Sequence, residues 1–256
     1  MKKRIIFKFI SFFVAAVLVL IGLAFIPWHA VSANSSFSVG LFGNGQDGAL
    51  TISGNITDTP IDSACSGTSG STSLSANNAN FAPGQAILIH QSQGVGAGQY
   101  ERNVIQSYAP GTITLQNPLE YTYSTGAQVL VLKQYTNVTI SSGATWTAKA
   151  WNGTTGGILA FLYNGTLSGS GRISADSCGF RGSALTAYQG EGTAGPGSFS
   201  TASNGNGGGG GYIRGGGGSG GNATAGNYGT KGPNLASGET LGTGFTTIML
   251  VTTTRQ

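Results

Sequence analysis

Charge is scarce in this 256-residue chain: Asp, Glu, Lys and Arg together make up 8% of it, against roughly 25% in an ordinary globular domain. Four of the twelve basic residues, Lys2, Lys3, Arg4 and Lys8, stand at the start with no acid among them, so the chain after Ala33 holds eight bases and eight acids. The net charge of +4 therefore belongs to the leader. It gives no argument for a nucleic-acid partner or an anionic surface. Histidine is scarcer still, with only His29 and His90. Because His29 falls in the leader, HExxH and three-histidine zinc sites are excluded within one chain. Two cysteines, Cys65 and Cys178, cannot build a four-thiolate zinc or iron–sulfur centre. No metal and no cofactor is expected. A helical period is missing too: no window after the leader sustains one over a dozen residues, so very little helix is expected.

What the chain does have begins with Met1-Lys-Lys-Arg4, followed by an apolar run to about Ile26, then Pro27 and Val31-Ser-Ala33. Small residues at −3 and −1 behind such a run predict a secretory signal peptide over residues 1–33, cleaved after Ala33, with an uncleaved anchor as the alternative. The expected location is secreted or cell-surface, with the membrane involved only through the leader. Export would let a disulfide persist between Cys65 and Cys178 if the fold brings them together; two free buried thiols are the other outcome.

Residues 34–82 read as a short strand, Ala49-Leu-Thr-Ile-Ser53, followed by a Ser, Thr, Asn and Gly-rich stretch suited to turns and loops. Residues 83–135 hold denser strand runs, Ala86-Ile-Leu-Ile-His90, Asn103-Val-Ile-Gln-Ser-Tyr108, Thr112-Ile-Thr-Leu115 and Gln128-Val-Leu-Val-Leu-Lys133, broken by Pro83-Gly84 and Pro110-Gly111. They predict a small β-barrel or meander. In residues 136–178 short Thr/Val/Ile/Leu segments alternate with Gly or Asn-Gly corners in a loose repeat of roughly 20 residues, which predicts a β-solenoid. A β-sandwich is the alternative, with Asn164-Gly165 as a hairpin turn. Residues 179–232 hold 21 of the 45 glycines, a low-complexity segment read as a flexible linker or as closely packed extended chain. In residues 233–256 the run Phe245-Thr-Thr-Ile-Met-Leu-Val251 comes five residues before the end. This run predicts a terminal strand that is truncated, docks on a neighbour or folds back on an internal edge. The fold class expected is all-β, a barrel or meander joined to a solenoid-like or sandwich region and a glycine-rich segment.

The strings Gly84-Gln-Ala-Ile-Leu-Ile-His-Gln-Ser-Gln-Gly94, Gly96-Ala-Gly-Gln-Tyr-Glu101, Ala150-Trp-Asn-Gly-Thr-Thr-Gly-Gly-Ile158 and Gly179-Phe-Arg-Gly182 resemble a module of secreted, glycine-rich bacterial surface proteins. That resemblance implies a cell-surface or extracellular-matrix component, and it supplies no catalytic residues.

Candidate ligand-binding residues are few. His90, Tyr100 and Glu101 belong to the one polar cluster, with Gln91 and Gln93, where Tyr100 could stack on a sugar and Glu101 accept hydrogen bonds. The competing reading makes Glu101 a buried acceptor for turn amides. Trp146 and Trp151 are sugar-stacking platforms if exposed and core if not. The eight acids are scattered, with Asp58 and Asp62 nearest one another across Pro60, so the paired carboxylates of a glycosidase are not evident. The only Gly-x-Ser-x-Gly match, around Ser219, lies in a glycine run. No catalytic residue is expected. The function expected is a structural or adhesive surface protein whose partners are surface polysaccharide or other surface proteins; a carbohydrate-binding module or a polysaccharide-active solenoid enzyme is the alternative.

Overall fold

The computed structural model describes residues 40, 42–181 and 190–195. The leader, nearly all of the glycine-rich segment and the terminal strand expected at Phe245–Val251 lie outside the described residues.

Every regular element among the described residues is a strand. Two architectures alternate along the chain. β1 (Leu50–Ile52) and β2 (Ile56–Thr57) open one coil of a parallel solenoid. The chain then leaves it to build β3 (Asp62–Gly67), β4 (Ser73–Ala76), β5 (Ala86–Gln91), β6 (Tyr100–Ala109), β7 (Thr112–Leu115) and β8 (Tyr123–Val131), which close into a six-stranded antiparallel barrel in the order β3-β4-β7-β6-β5-β8. The chain next returns for a second coil, β9 (Lys133–Tyr135), β10 (Val138–Ile140) and β11 (Thr145–Thr147), and a third, β12 (Phe161–Tyr163), β13 (Leu167–Gly169) and β14 (Arg172–Ser174). The barrel is thus inserted between the first and second coils.

The coils stack as three parallel sheets, β1-β10-β13, β14-β11-β2 and β12-β9. This parallel pairing replaces the sandwich alternative. Strands of two or three residues cannot bury a face alone, and stacking lets each cover the last. Inward positions alternate, so Val138 and Ile140 are buried on either side of half-buried Thr139. Trp146 lies in a stacked arrangement with Phe161, ring centroids 4.7 Å apart, and Tyr135 meets both edge-on. Corners are tied by asparagine: Asn137 Oδ1 accepts from the Thr166 N–H at 2.8 Å, and Asn55 Oδ1 from the Thr145 N–H at 3.0 Å. The repeat is longer than the roughly 20 residues expected. Val138 pairs with Leu167, Leu162 with Gln134 and Trp146 with Ile173, offsets of 29, 28 and 27. The 13-residue loop between β11 and β12, residues 148–160, adds length that composition alone does not assign to any coil.

The barrel also starts earlier than composition suggested. Strands β3 and β4 come from the Ser/Thr-rich stretch read as loops, and Lys133–Tyr135 belongs to the solenoid instead. Barrel strands can be this polar because only alternate residues face the interior: Cys65, Leu74 and Ala76 are buried while Ala64, Ser66, Ser73 and Ser75 stay in contact with solvent.

Barrel and solenoid share an apolar seam. On β5, Ile87 and Ile89 fill the barrel, while Ala86 and Leu88 point outward to join Leu130 of the neighbouring β8, Leu132 just after it, and Ile158, Ala160 and Leu162 of the solenoid. β12 does the reverse: Phe161 and Tyr163 fill the solenoid and Leu162 faces the barrel. Strands buried on both faces read as unbroken apolar runs, which explains Ala86–Ile89 and Val129–Leu132. A further tie is Lys149, which donates to both carboxylate oxygens of Asp62 at 2.9 and 2.7 Å and to Thr155 Oγ1 at 3.1 Å.

Of the two outcomes left open for the cysteines, the structure shows free buried thiols. Cys65 lies in the barrel core and Cys178 in the solenoid core, both as free thiols.

Candidate functional site

The polar cluster around β5 and β6 divides between two faces. Antiparallel pairing sets Glu101 opposite Ile89 and Tyr100 opposite His90. Glu101 therefore enters the barrel with Ile89, and Tyr100 shares the outer face with His90. Inside, the Glu101 carboxylate accepts from the backbone N–H of Glu120 at 3.1 Å and of Tyr121 at 3.4 Å. Asn103, two residues on, accepts from the Asn117 N–H and donates to the Asn117 carbonyl. Together they bind the 117–121 loop to one end of the barrel. Burial, and then the Glu101 charge beside it, hold the Tyr123 phenol well above its usual range. This geometry makes Glu101 a backbone acceptor with no face toward solvent.

On the outer face the strand ends in a hydrogen-bonded chain. The Gly156 N–H donates to Gln128 Oε1 at 2.9 Å; Gln128 Nε2 donates to the Gly156 carbonyl at 3.0 Å and to Ser92 Oγ at 2.8 Å; Ser92 Oγ lies 2.9 Å from His90 Nδ1. Gln128 thus bridges barrel and solenoid as a second backbone amide would. Gly156 has a φ of 106°, and a Cβ there would lie 2.3 Å from the Ala150 carbonyl oxygen, so only glycine brings the backbone this close. His90 Nε2 has no partner. His90 lines a cavity of about 40 Å³ at the junction together with Trp151, Ile158, Phe180 and Thr193. Burial pushes the His90 pKa down to about 4, leaving the ring neutral at ordinary pH.

Trp151 is 5% exposed. Its indole N–H donates to Glu191 at 3.0 Å, its ring meets Phe180 edge-on at 5.6 Å, and Glu191 in turn pairs with Arg181 at 2.5 Å. Burial works to raise the Glu191 pKa, but the Arg181 bonds and charge, with help from Trp151, outweigh it and hold the carboxyl low.

Of the residues singled out from sequence, the structure brings His90 and Trp151 together on one cavity and sets Tyr100, half exposed, opposite His90 on the barrel's outer face. It takes Glu101 into the barrel and Trp146, 3% exposed, into the solenoid core. Neither indole offers a flat face to solvent, so no exposed aromatic platform forms from Tyr100, Trp146 and Trp151. Reasoning from sequence missed Gln128, Ser92 and Phe180. Gln128 had a signal, a lone polar residue interrupting the apolar run from Ala127 to Leu132.

A wider groove of about 560 Å³ lies along Ser66, Ser75, Thr125 and Thr154 and carries no ionisable side chain other than Cys65. No group of three His, Cys, Asp or Glu residues suited to a metal occurs among the described residues. The described acids are mostly engaged elsewhere: Asp47 accepts from Lys133 and from the Gln134 N–H, and Asp176 pairs with Arg172. Asp58 differs: burial raises its pKa, the nearby Trp146 indole and the Thr59 amide partly oppose this, and the charge of Asp62 adds to the rise.

No protein-family model and no curated protein matches the chain. Three solved bacteriophage tailspikes are similar to part of it. They are gp49 of Pseudomonas phage LKA1 (13% identity, TM-score 0.25, 49% of this chain and 28% of that one), gp54 of Acinetobacter baumannii bacteriophage AP22, in complex with A. baumannii capsular saccharide (11%, 0.25, 50% and 29%), and gp61 of Pseudomonas phage phi297 (13%, 0.26, 50% and 22%). The chain spans less than a third of the length of each.

Proposed function

We propose that the protein is an exported cell-surface or extracellular component with a structural or adhesive role, associated with surface polysaccharide and without catalytic activity. One observation carries this reading: among the described residues, three of the carboxylates a glycosidase or hydrolase would draw on are spent on structural bonds. Asp62 clamps Lys149, Glu101 holds backbone amides and Glu191 holds Arg181 and Trp151. The test is incubation of the secreted protein with cell-surface polysaccharides, following co-sedimentation together with release of reducing ends or unsaturated sugars. Retention on the polysaccharide without product supports the reading.

A polysaccharide hydrolase is the second reading, favoured by Asp58. A carboxyl with a raised pKa near a second carboxyl, here Asp62, is the pattern of a general acid beside its partner. It would require Asp58→Asn to abolish a measurable release of reducing ends, with folding intact by circular dichroism.

A further inference from the structure

The wider groove crosses four neighbouring strands of the barrel. Ser75 lies on β4, Ala64 and Ser66 on β3, Thr125 and Gly126 on β8, and Gln93 and Gly94 just past the end of β5. Ser75 pairs directly with Ser66. On the other side β3 and β8 fall out of step: Cys65 pairs with Ala127 and Gly67 with Tyr123, so Ser124, Thr125 and Gly126 stand opposite Ser66 alone. Such a bulge re-aims a side chain, and Gly126 takes it at a φ of 94°. Strict alternation would send Thr125 inward with Tyr123 and Ala127, which both lie in the barrel core, yet Thr125 is exposed. Ser75, Ser66 and Thr125 therefore form a row of exposed hydroxyls across three strands. None of these three hydroxyls has a hydrogen-bond partner among the described residues.

The remaining walls are held in place by their own bonds. Asn152 Oδ1 accepts from the Thr154 N–H and from the Thr154 hydroxyl, both at 2.9 Å. The 192–195 segment is tied to the turn after β5, with the Gly94 N–H donating to the Thr193 carbonyl at 2.7 Å and Gln93 Nε2 to the Gly192 carbonyl at 2.9 Å. At about 560 Å³ the groove falls within the roughly 300–1,000 Å³ of small-molecule sites, which are usually formed before the ligand arrives.

We propose that this groove holds a short stretch of uncharged polysaccharide, lying across the strands with its hydroxyls paired to Ser66, Ser75, Thr125 and Thr154. The proposal rests on the polysaccharide-associated reading above and gives it a site and a ligand class. No lining side chain is charged: the Cys65 thiol sits in the barrel core, where burial pushes its pKa up to about 12. Arg181, beside Gly153, is taken up by Glu191. An anionic chain would thus meet no free cation. A peptide would find no strand edge to pair with, because all four floor strands belong to a closed barrel. Three strand spacings of about 4.8 Å make the floor about 14 Å long, the length of a short oligosaccharide rather than of one sugar. Thr154 Oγ1, its proton spent on Asn152, can only accept from the sugar, whereas the other three hydroxyls can donate or accept.

The test uses the full protein labelled with ¹⁵N, reading the amide signals of Ser66, Thr125, Gly153 and Thr154. Linear cellulose, starch and galactan oligomers, each from monosaccharide to hexasaccharide, are titrated in turn, with trigalacturonic acid and a glycine–serine peptide as counter-probes. At least one neutral series should shift these signals saturably, with affinity that rises from monosaccharide to trisaccharide and then levels, and both counter-probes should bind more weakly. Ser66→Tyr, which fills the groove from an exposed position, should abolish the shifts. Ser66→Ala combined with Ser75→Ala should weaken binding about tenfold, through lost hydrogen bonds, and neither change should move the melting temperature. The proposal is overturned if no neutral oligomer shifts the signals, if affinity ignores chain length, if a counter-probe binds better than every neutral sugar, or if binding survives Ser66→Tyr. In any of those cases co-sedimentation separates the two readings. If wild type and Ser66→Tyr are retained equally on surface polysaccharide, the broader reading stands and the groove alone is wrong; if neither is retained, both fail.

Discussion

Acid should separate the barrel from the solenoid by a route that runs through one residue. His90 ionises near pH 6.5 in an unfolded chain and near pH 4 in the folded one, where burial opposes the charge. Between those values the unfolded state binds more protons, so stability falls as pH falls. The contribution is fully present above about pH 6.5, is lost progressively on descending to about pH 4, and changes no further below that. A difference of about 2.5 units at 1.36 kcal/mol per unit gives about 3 kcal/mol, a large share of a domain's usual 5–15 kcal/mol. Asp58 works with the opposite sign: its raised pKa favours the folded state at low pH. The informative quantity is therefore a difference between proteins. Urea unfolding of wild type and of His90→Gln, which cannot ionise but can still bond Ser92, would be measured from pH 7.5 to 3.5. The wild type should lose about 3 kcal/mol more than the variant across that range, with most of the loss between pH 6.5 and 4. Parallel profiles would refute the reasoning, because they would mean that the imidazole is not enclosed in the seam.

Leu88→Ala, at the centre of the seam where Leu88 has no exposed surface, should cost about 2–5 kcal/mol in chemical unfolding; a cost below 1 kcal/mol would mean barrel and solenoid do not pack as described. Glu101→Gln should lower stability by about 1–3 kcal/mol, because the amide turns a donor toward the Glu120 and Tyr121 N–H groups. Unchanged thermal unfolding with lost polysaccharide binding would instead place Glu101 in a binding site. Gly169→Ala should be far more damaging than Gly143→Ala, since a Cβ at Gly169 would meet the Ile140 carbonyl while one at Gly143 has open space, and both have positive φ; equal melting temperatures would contradict the coil stacking. Both thiols should react with iodoacetamide only after unfolding without reductant, and a protected pair in unfolded, unreduced protein would restore the disulfide.

How much of this was legible in sequence depends on which face of a strand carries the information. The runs Ala86–Ile89 and Val129–Leu132 announced strands, but their burial on both sides shows only in the structure, and nothing in them names Ile158 and Leu162 as the partners. Strands β3 and β4 were hidden because their inward residues are as small as Cys65 and Ala76, leaving hydroxyl-rich outer faces that look like loop. The coil repeat was underestimated because strands of three residues leave most of each coil in corners and in the long 148–160 loop, whose length no local rule sets. Trp146 and Trp151 carried no hint of burial beyond the shortage of other large side chains. Glu101 was ambiguous until pairing with Ile89 decided its face. The hydrogen-bonded chain from Gly156 to His90 joins residues from distant parts of the sequence and depends on the barrel's insertion between coils.

The proposed role is to hold surface polysaccharide without cleaving it. One incubation of the purified protein with purified surface polysaccharide tests this, with bound protein and newly released reducing ends or unsaturated sugars quantified from the same tube. Saturable retention of protein is expected, with product no higher than in a protein-free control. Product that accumulates with time and disappears in Asp58→Asn would contradict it.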